Sequence, residues 1–531
     1  MNRKEMLEKV KNRTTPWDMV IIGGGATGVG VAIDSASRGF EVLLLEAQDF
    51  GKGTSSRSTK LIHGGVRYLE QGNISLVMEA LKERGLLRQN APHLVHDLAF
   101  IVPNYSWWEA PFYGIGMKVY DLLAGKYGFG RSRILSAQET IEMLPNLQTE
   151  GLRGGVIYYD GQFDDTRLLI HMAMSAADHG ATLLNYAPVI EITKDPPSTD
   201  NAGFVNGVLF RDSESNEEIH AQAKVVINAT GMFADRVRHM TDPDAKKMIA
   251  PSQGIHLVFE RSFLRADAAI MVPHTSDGRV LFAIPWHDHT VVGTTDTPIE
   301  EASYEPKPFE EEIEFILSTA AQFLSRPPTR KDILAVYVGI RPLVKAGSDG
   351  EKTSALSRDH TIHIDSAGLI TIVGGKWTTY RHMAEDCVNH ATTLGRLDDT
   401  PCVTRNLKLH GYHPTSEDFG NLWVYGSDAL GIRALAGKDL SLLKPMHPDL
   451  TYCPAEVMWA VRNEMARTVE DILARRTRAL FLNAQAAIDL APRVAAIMAT
   501  ELGEGEPWIA AQLNEFNTLA EQYMVRDTVS G

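Results

Sequence analysis

The chain has 531 residues, long enough for several domains and a sizeable buried core. At 44% hydrophobic and 22% charged it has an ordinary globular composition, which argues against general disorder. Lys and Arg total 52 against 67 Asp and Glu, a formal net charge of −15. That balance is poor footing for a nucleic-acid binder, yet it leaves room for a local cationic site that takes a small anion.

Residues 1–16 mix Lys, Arg and Glu with scattered apolar side chains and lack the apolar stretch and cleavage site of a secretory leader. No apolar run reaches the ~18 residues of a spanning helix. The expected location is cytoplasmic, with peripheral attachment to a membrane left open. The first strong signal is Asp18-Met-Val-Ile-Ile22, an apolar run that ends in Gly23-Gly-Gly-Ala-Thr-Gly28. A helix-compatible segment follows over 29–38, stopped by Gly39, and then a second buried strand, Val42-Leu-Leu-Leu45, ends at Glu46. Strand, tight turn, helix and strand make a βαβ unit.

Within it, Gly23, Gly25 and Gly28 form G-x-G-x-x-G. Their spacing suits a tight turn, a close approach of backbone to a pyrophosphate, and helix–strand packing. The phosphates would sit at the helix N-terminus, where unpaired N–H groups and the dipole favour anions. Glu46, roughly 20 residues on at a strand end, is suited to accept hydrogen bonds from ribose hydroxyls. The chain next enters Thr54-Ser-Ser-Arg-Ser-Thr-Lys60, a hydroxyl-rich stretch unlike a plain crossover. Two more strand–glycine segments follow far apart, Lys224-Val-Val-Ile-Asn-Ala-Thr-Gly231 and Leu369-Ile-Thr-Ile-Val-Gly-Gly375, the second leading into a helix near 380–393. This arrangement resembles the flavoprotein fold in which an FAD domain is interrupted by substrate-domain insertions. No second G-x-G-x-x-G follows a strand, so no site for a nicotinamide cofactor is expected.

Between these segments, residues near 190–225 read as antiparallel strands with a turn at Asn206-Gly207, and 194–203 reads as a surface loop. Trp286-His287-Asp288-His289 reads as a hairpin turn. The segment 105–118, with Tyr105, Trp107, Trp108, Phe112 and Tyr113, is crowded with aromatics and followed by Lys126, Arg131 and Arg133. It suits a membrane interface or a buried cap over the ligand pocket equally. Beyond about 395 strand patterns fade, and Val457, Val461, Met465, Val469 and Leu473 form a stripe at helical spacing, read as core packing. Cys387, Cys402 and Cys453 are read as reduced, and no motif supports a metal.

The ordered set of motifs resembles the FAD-dependent glycerol-3-phosphate dehydrogenases. Its elements are the glycine turn, the run from Thr54 through Leu61-Ile-His-Gly-Gly-Val-Arg-Tyr-Leu-Glu70, Asn228-Ala-Thr-Gly231, Pro285-Trp286 with Gly293-Thr-Thr-Asp296, Gly339-Ile-Arg-Pro-Leu343, Ser357-Arg-Asp359 and Gly374-Gly-Lys-Trp-Thr-Thr-Tyr-Arg381. Arg475-Arg-Thr-Arg478 also resembles the helical C-terminal region of that family.

The resemblance implies an α/β fold. A Rossmann-like FAD-binding domain of the glutathione-reductase and D-amino-acid-oxidase kind lies mainly in 17–100, 165–250 and 358–395. An interleaved antiparallel substrate domain takes 101–164 and 251–357, and a helical C-terminal domain takes 396–531. The implied reaction is oxidation of sn-glycerol 3-phosphate to dihydroxyacetone phosphate, by hydride transfer from C2 to flavin N5, with a quinone receiving the electrons at a membrane surface.

His256 aligns with an active-site histidine, as base or as an orienting group, and the resemblance places Arg341 close to the reacting hydroxyl, where it could share that work. Arg67, Arg358 and Lys376 align with positions that line the substrate pocket, where arginine forks suit phosphate. Ser55, Ser56, Thr59 and Lys60, with Thr54, are assigned to the FAD pyrophosphate and isoalloxazine side. Gly231, Gly374, Gly375, Thr378 and Thr379 are assigned to the flavin region, the threonines doubling as helix caps. Rival readings are an oxidase of the same substrate that passes electrons to oxygen, an amine or amino-acid oxidase, and a non-catalytic FAD-binding sensor or scaffold. A homodimer is left open.

Overall fold

The strand read from residues 18–22 runs Trp17–Ile22 and sits inside an eight-stranded sheet of the computed structural model. The structure describes every residue except 67–68, 70–71, 197–202, 274, 276–278, 346–358 and 527–531. Trp17–Ile22 pairs in parallel with Val42–Leu45 on one side, and that strand pairs on with Thr182–Leu184. On its other side lie Glu218–Asn228 and then Ile370–Gly374, also parallel, with His360–Ile364 antiparallel at the edge. Alternate residues serve opposite faces, as the strand period requires. Met19, Ile21, Val42 and Leu44 pack under the helices Ala26–Ser37, Asp165–Asp178 and Tyr380–Leu394. Val20, Ile22, Leu43 and Leu45 pack against the meander formed by Val189–Lys194, Val205–Arg211 and Glu218–Asn228. Burial on both faces is why these strands read as unbroken apolar runs.

The chain leaves Trp17–Ile22 toward one neighbour and returns beside it on the other side only at Glu218–Asn228. The carboxyl ends of these two adjacent strands therefore flank a topological switch point, where such sheets open a crevice for ligands.

A ten-stranded sheet, largely antiparallel, forms the second layer. Toward one end runs the long strand Ile249–Glu260, which pairs with Ala335–Val344 and His289–Gly293. One face packs on the helix Glu310–Phe323. The other face shares a core with C-terminal residues from Leu450 to Tyr523. That C-terminal region is helical, with Pro454–Asn463, Ala484–Leu502 and Glu506–Ala520 as its main helices.

Two local expectations are corrected. Asn206 and Gly207 lie inside the strand Val205–Arg211, and the actual turn falls after Arg211. A side chain at 207 would meet the Ala221 carbonyl at 2.4 Å, so this glycine serves close strand pairing instead of a turn. The stripe from Val457 to Leu473 is not one helix. The first helix ends at Asn463, Met465 takes a positive φ of 56°, and Asp471–Arg476 forms a separate π-helical turn. Val457, Met465, Val469 and Leu473 are nevertheless all buried, so their reading as core holds. Trp286 and His289 do close a hairpin.

Candidate active site

A cavity of about 310 Å³ lies at the switch point, lined among others by Gly23, Gly25, Thr27, Glu46, Thr54, Ser55, Gly231, Gly374, Gly375 and Lys376. Its floor is the glycine turn. Gly23 has a φ of +113°, and a Cβ there would lie 2.7 Å from the Ala229 carbonyl oxygen. A Cβ on Gly28 would lie 1.9 Å from the Gly23 carbonyl oxygen. Neither position admits a side chain: Gly23 presents bare backbone to the cavity, and Gly28 lets the helix close on the turn behind it. The helix Ala26–Ser37 starts here with Gly25 as a cap that has no side chain to give. The Ala26 N–H is met instead by the Ser55 hydroxyl at 2.9 Å, while the other first-turn N–H groups of such a helix suit an anion. The Glu46 carboxylate accepts from the Gly24 N–H at 2.6 Å and the Gln48 N–H at 2.8 Å. Burial raises its pKa while these two bonds oppose the rise. A glycine cradle, a helix N-terminus and an acceptor at the next strand end fit the pyrophosphate and ribose of FAD.

Toward the other end, Gly374 and Gly375 both take positive φ, 78° and 72°, and bring backbone to the cavity wall beside Lys376 and Trp377. The Trp377 indole donates to the Ser55 carbonyl at 2.9 Å and so ties this turn to the hydroxyl-rich segment. The Thr54 hydroxyl donates to the Ile340 carbonyl at 2.7 Å, which joins that segment to the second sheet.

His256 and Arg341 stand on one face of that sheet. The Arg341 guanidinium lies over Gly254, where a Cβ would be 2.6 Å from it, and the His256 ring lies over Gly293. Gly254 and His256 are two residues apart on one strand, so the groups are separated along it by about 7 Å. Arg341 is fixed by Asp296 at 3.1 Å and by the Thr295 carbonyl at 3.0 Å, and Asp296 also accepts from the Ser252 hydroxyl at 2.5 Å. The His256 Nε2 shares a 2.9 Å hydrogen bond with the Thr59 hydroxyl, and its ring stacks on Tyr337 with centroids 4.7 Å apart. Burial, then the charges of Lys60 and Arg341, hold its pKa well below the usual histidine value. Burial thus favours the neutral imidazole over the charged one.

The remaining expected residues divide. Thr378 and Thr379 are buried below the wall. The Thr378 hydroxyl donates to the His63 carbonyl and the Thr379 hydroxyl to the Lys376 carbonyl, so neither side chain caps the following helix. Ser56 is buried and its hydroxyl donates to the Gly53 carbonyl. Lys60, expected at the cofactor, is instead wholly buried. Its ammonium pairs with Asp165 at 2.7 Å, donates to the Ser56 carbonyl at 2.7 Å, and lies about 5 Å from the rings of Trp286, Tyr337 and Phe481. A lysine without solvent needs such a carboxylate, and that partner draws it away from the cavity. Arg67 and Arg358 lie outside the described residues.

Several wall residues carried no readable signal. Lys52, Phe233, Arg236 and Tyr304 all line the cavity. Phe233 and Tyr304 meet with ring centroids 4.5 Å apart, although they come from different layers. Of these, only Lys52, a charge flanked by Gly51 and Gly53, carries a local sequence cue.

Comparison with known proteins agrees with this geometry. The family described as "FAD dependent oxidoreductase" matches residues 18–381, and "C-terminal domain of alpha-glycerophosphate oxidase" matches residues 402–508. A mitochondrial glycerol-3-phosphate dehydrogenase of Arabidopsis thaliana is 41% identical over 92% of this chain and 83% of its own length. Its counterpart in Rattus norvegicus is 40% identical over 95% of this chain and 73% of its own. The crystal structure of the glycerol-3-phosphate dehydrogenase from Bacillus halodurans complexed with FAD superposes with a TM-score of 0.79, at 28% identity and 98% coverage of both chains. The chain is an FAD-dependent oxidoreductase, and within that family it belongs with the glycerol-3-phosphate dehydrogenases.

Proposed function

We propose that the protein oxidises sn-glycerol 3-phosphate to dihydroxyacetone phosphate and passes the electrons to a quinone. The observation that carries the reading is a neutral, oriented histidine on the same sheet face as a fixed arginine, beside a cavity that fits FAD. Bound FAD supplies N5 as acceptor of the hydride from C2. His256 takes the C2 hydroxyl proton at Nε2, the nitrogen that the Thr59 hydroxyl holds until the substrate hydroxyl replaces it. Gly293 has no side chain to cover that edge of the ring. Arg341, held by Asp296, stabilises negative charge on the oxygen as the proton leaves. Lys376 contributes positive charge at the flavin end of the cavity, and the family resemblance assigns Arg67 and Arg358 to the phosphate.

The quinone reading draws support from the helix Glu109–Ala124. Met117, Tyr120 and Ala124 are buried, while Trp108, Phe112, Ile115, Val119 and Leu122 form the opposite, exposed face. Leu122 is 81% exposed, Ile115 68%, and Trp107 just before the helix 78%. Such a face, flanked by Lys126, Arg131 and Arg133, suits peripheral docking on the cytoplasmic membrane, where a quinone resides. Among the described residues no helix is long and apolar enough to cross a membrane.

Anaerobic addition of glycerol 3-phosphate to the yellow protein tests the reading. Bleaching that a quinone analogue reverses quickly, and air only slowly, is the expected result. The match of the C-terminal region to an oxidase domain favours one second reading, in which fast reoxidation by air yields peroxide. No bleaching of a chemically reducible flavin would overturn both.

A further inference from the structure

The loop from Glu46 to Gly53 forms part of the cofactor cavity and packs on the phosphate-binding turn. A Cβ on Gly24 would lie 2.8 Å from both Glu46 and Phe50, and the Gly51 N–H donates to the Gly24 carbonyl at 3.1 Å. Asp49 of this loop points into the C-terminal region, and Lys52, while lining the cavity, also reaches a C-terminal carboxylate. Asp49, wholly buried, accepts from Arg475 Nε at 2.5 Å, from both terminal nitrogens of Arg476 at 2.7 and 2.9 Å, and from Asn185 at 3.2 Å. Lys52 pairs with Glu470 at 2.5 Å and Glu305 at 2.8 Å. Glu305 in turn holds Arg57 and accepts from the Tyr523 hydroxyl at 3.0 Å, and its neighbour Tyr304 lines the cavity. The C-terminal region thus grips both a loop and a strap of the cofactor cavity through directional charge contacts. Simple adhesion between two regions is served as well by apolar side chains, whereas a forked guanidinium on a carboxylate fixes orientation.

We propose that Arg475 and Arg476 are positioning residues for FAD: acting through Asp49, they hold the 46–53 loop against the glycine turn, so that the C-terminal region completes the cofactor site. Cofactor retention then depends on contacts made by side chains that do not touch the cofactor.

The test compares FAD release from purified holoenzyme variants at one temperature well below melting, followed by the rise in free-flavin fluorescence. Asp49→Asn and Arg476→Met are set against Arg478→Lys, which perturbs the neighbouring ion pair with Asp164 at 2.9 Å, a residue outside the cavity wall. Release about ten-fold faster or more is expected for the first two, with Arg478→Lys near the parent rate at a comparable melting temperature. Arg476→Lys should recover part of the retention. If Asp49→Asn or Arg476→Met does not fold, Glu470→Gln, which is partly exposed, serves in its place: it loosens Arg475, which Glu470 holds at 2.5 Å, and should release FAD faster. Release rates that track melting temperature alike across all variants would overturn the proposal and leave the cluster a purely structural clasp.

Discussion

The glycine turn and the C-terminal clasp sit on opposite sides of the same loop, and they hold it by opposite means. The turn works with bare backbone. Gly28 closes on the Gly23 carbonyl and Gly23 on the Ala229 carbonyl, and the turn's specificity comes from side chains that are absent. The clasp works with buried charge. Arg475 and Arg476 meet Asp49, Arg478 meets Asp164, and Arg167 meets Glu464, pairs drawn from about 300 to 430 residues apart. Burial alone would raise the Asp49 carboxyl, but Arg476 and Arg475 outweigh it and hold its pKa low, so the charge persists. A backbone cradle tolerates no added atom, whereas a charge clasp tolerates no lost partner.

Substitutions should separate the two modes. The largest effect is expected where the cradle is filled. Gly28→Val places atoms inside contact distance of the Gly23 carbonyl, and the purified protein should carry no flavin absorbance. Retained flavin would show that the turn yields more easily than the geometry implies. Next comes the chemistry. His256→Ala should keep its flavin and its substrate KM while kcat falls by about 10²-fold or more, read by steady-state dye reduction. Third is the clasp. Arg167→Met leaves Glu464, in a site with no solvent, only the more distant Arg476 at 3.6 Å and should cost about 3–5 kcal/mol of stability in denaturant titration, whereas joint replacement of Arg167 and Glu464 by Met should cost less. Equal losses would mean that shape, not charge, holds the regions together.

Smaller effects come with pH. His93 is pushed down to about 3, and His171 well below 6.5, in both cases chiefly by burial. Both stay neutral in the folded protein, so the unfolded chain binds more protons as pH falls below 6.5, and stability declines on that side. His410, bonded to Asp178 at 2.6 Å and Asp428 at 3.0 Å, is raised to about 9 despite its burial. Its contribution is full below 6.5 and lost as pH rises through about 9. Melting temperature against pH should therefore fall on both sides of neutrality, and His410→Asn should flatten chiefly the alkaline limb. The smallest effect belongs to the surface. Replacing Arg211 opposite Glu218, an exposed pair, should leave the melting temperature within experimental scatter.

The contrast also explains what could be read from the chain. The turn, its flanking strands and Glu46 were legible because every signal is local: an apolar run, a glycine spacing, an acidic strand end. The segments around Gly231 and Gly374 were legible for the same reason, and both reach the cavity wall. Lys60 was not, because a charge beside hydroxyls looks the same whether it faces a ligand or a carboxylate 105 residues away. Asn206-Gly207 carries the dipeptide of a turn, yet pairing with Glu218–Asn228 overrides it. Arg475-Arg-Thr-Arg478 stood out as a motif, but its partners Asp49 and Asp164 have no pattern that identifies them. Tyr304 and Phe233 reach the cavity only through the packing of two layers.

The most direct test of the central claim is a stopped-flow record of flavin bleaching by glycerol 3-phosphate without oxygen, for the parent protein and His256→Ala, across pH 6 to 9. The account predicts fast bleaching in the parent and bleaching about 10²-fold slower or more in the variant, with flavin content unchanged. Equal bleaching rates would remove His256 as proton acceptor, and absence of bleaching in the parent would remove glycerol 3-phosphate as the substrate.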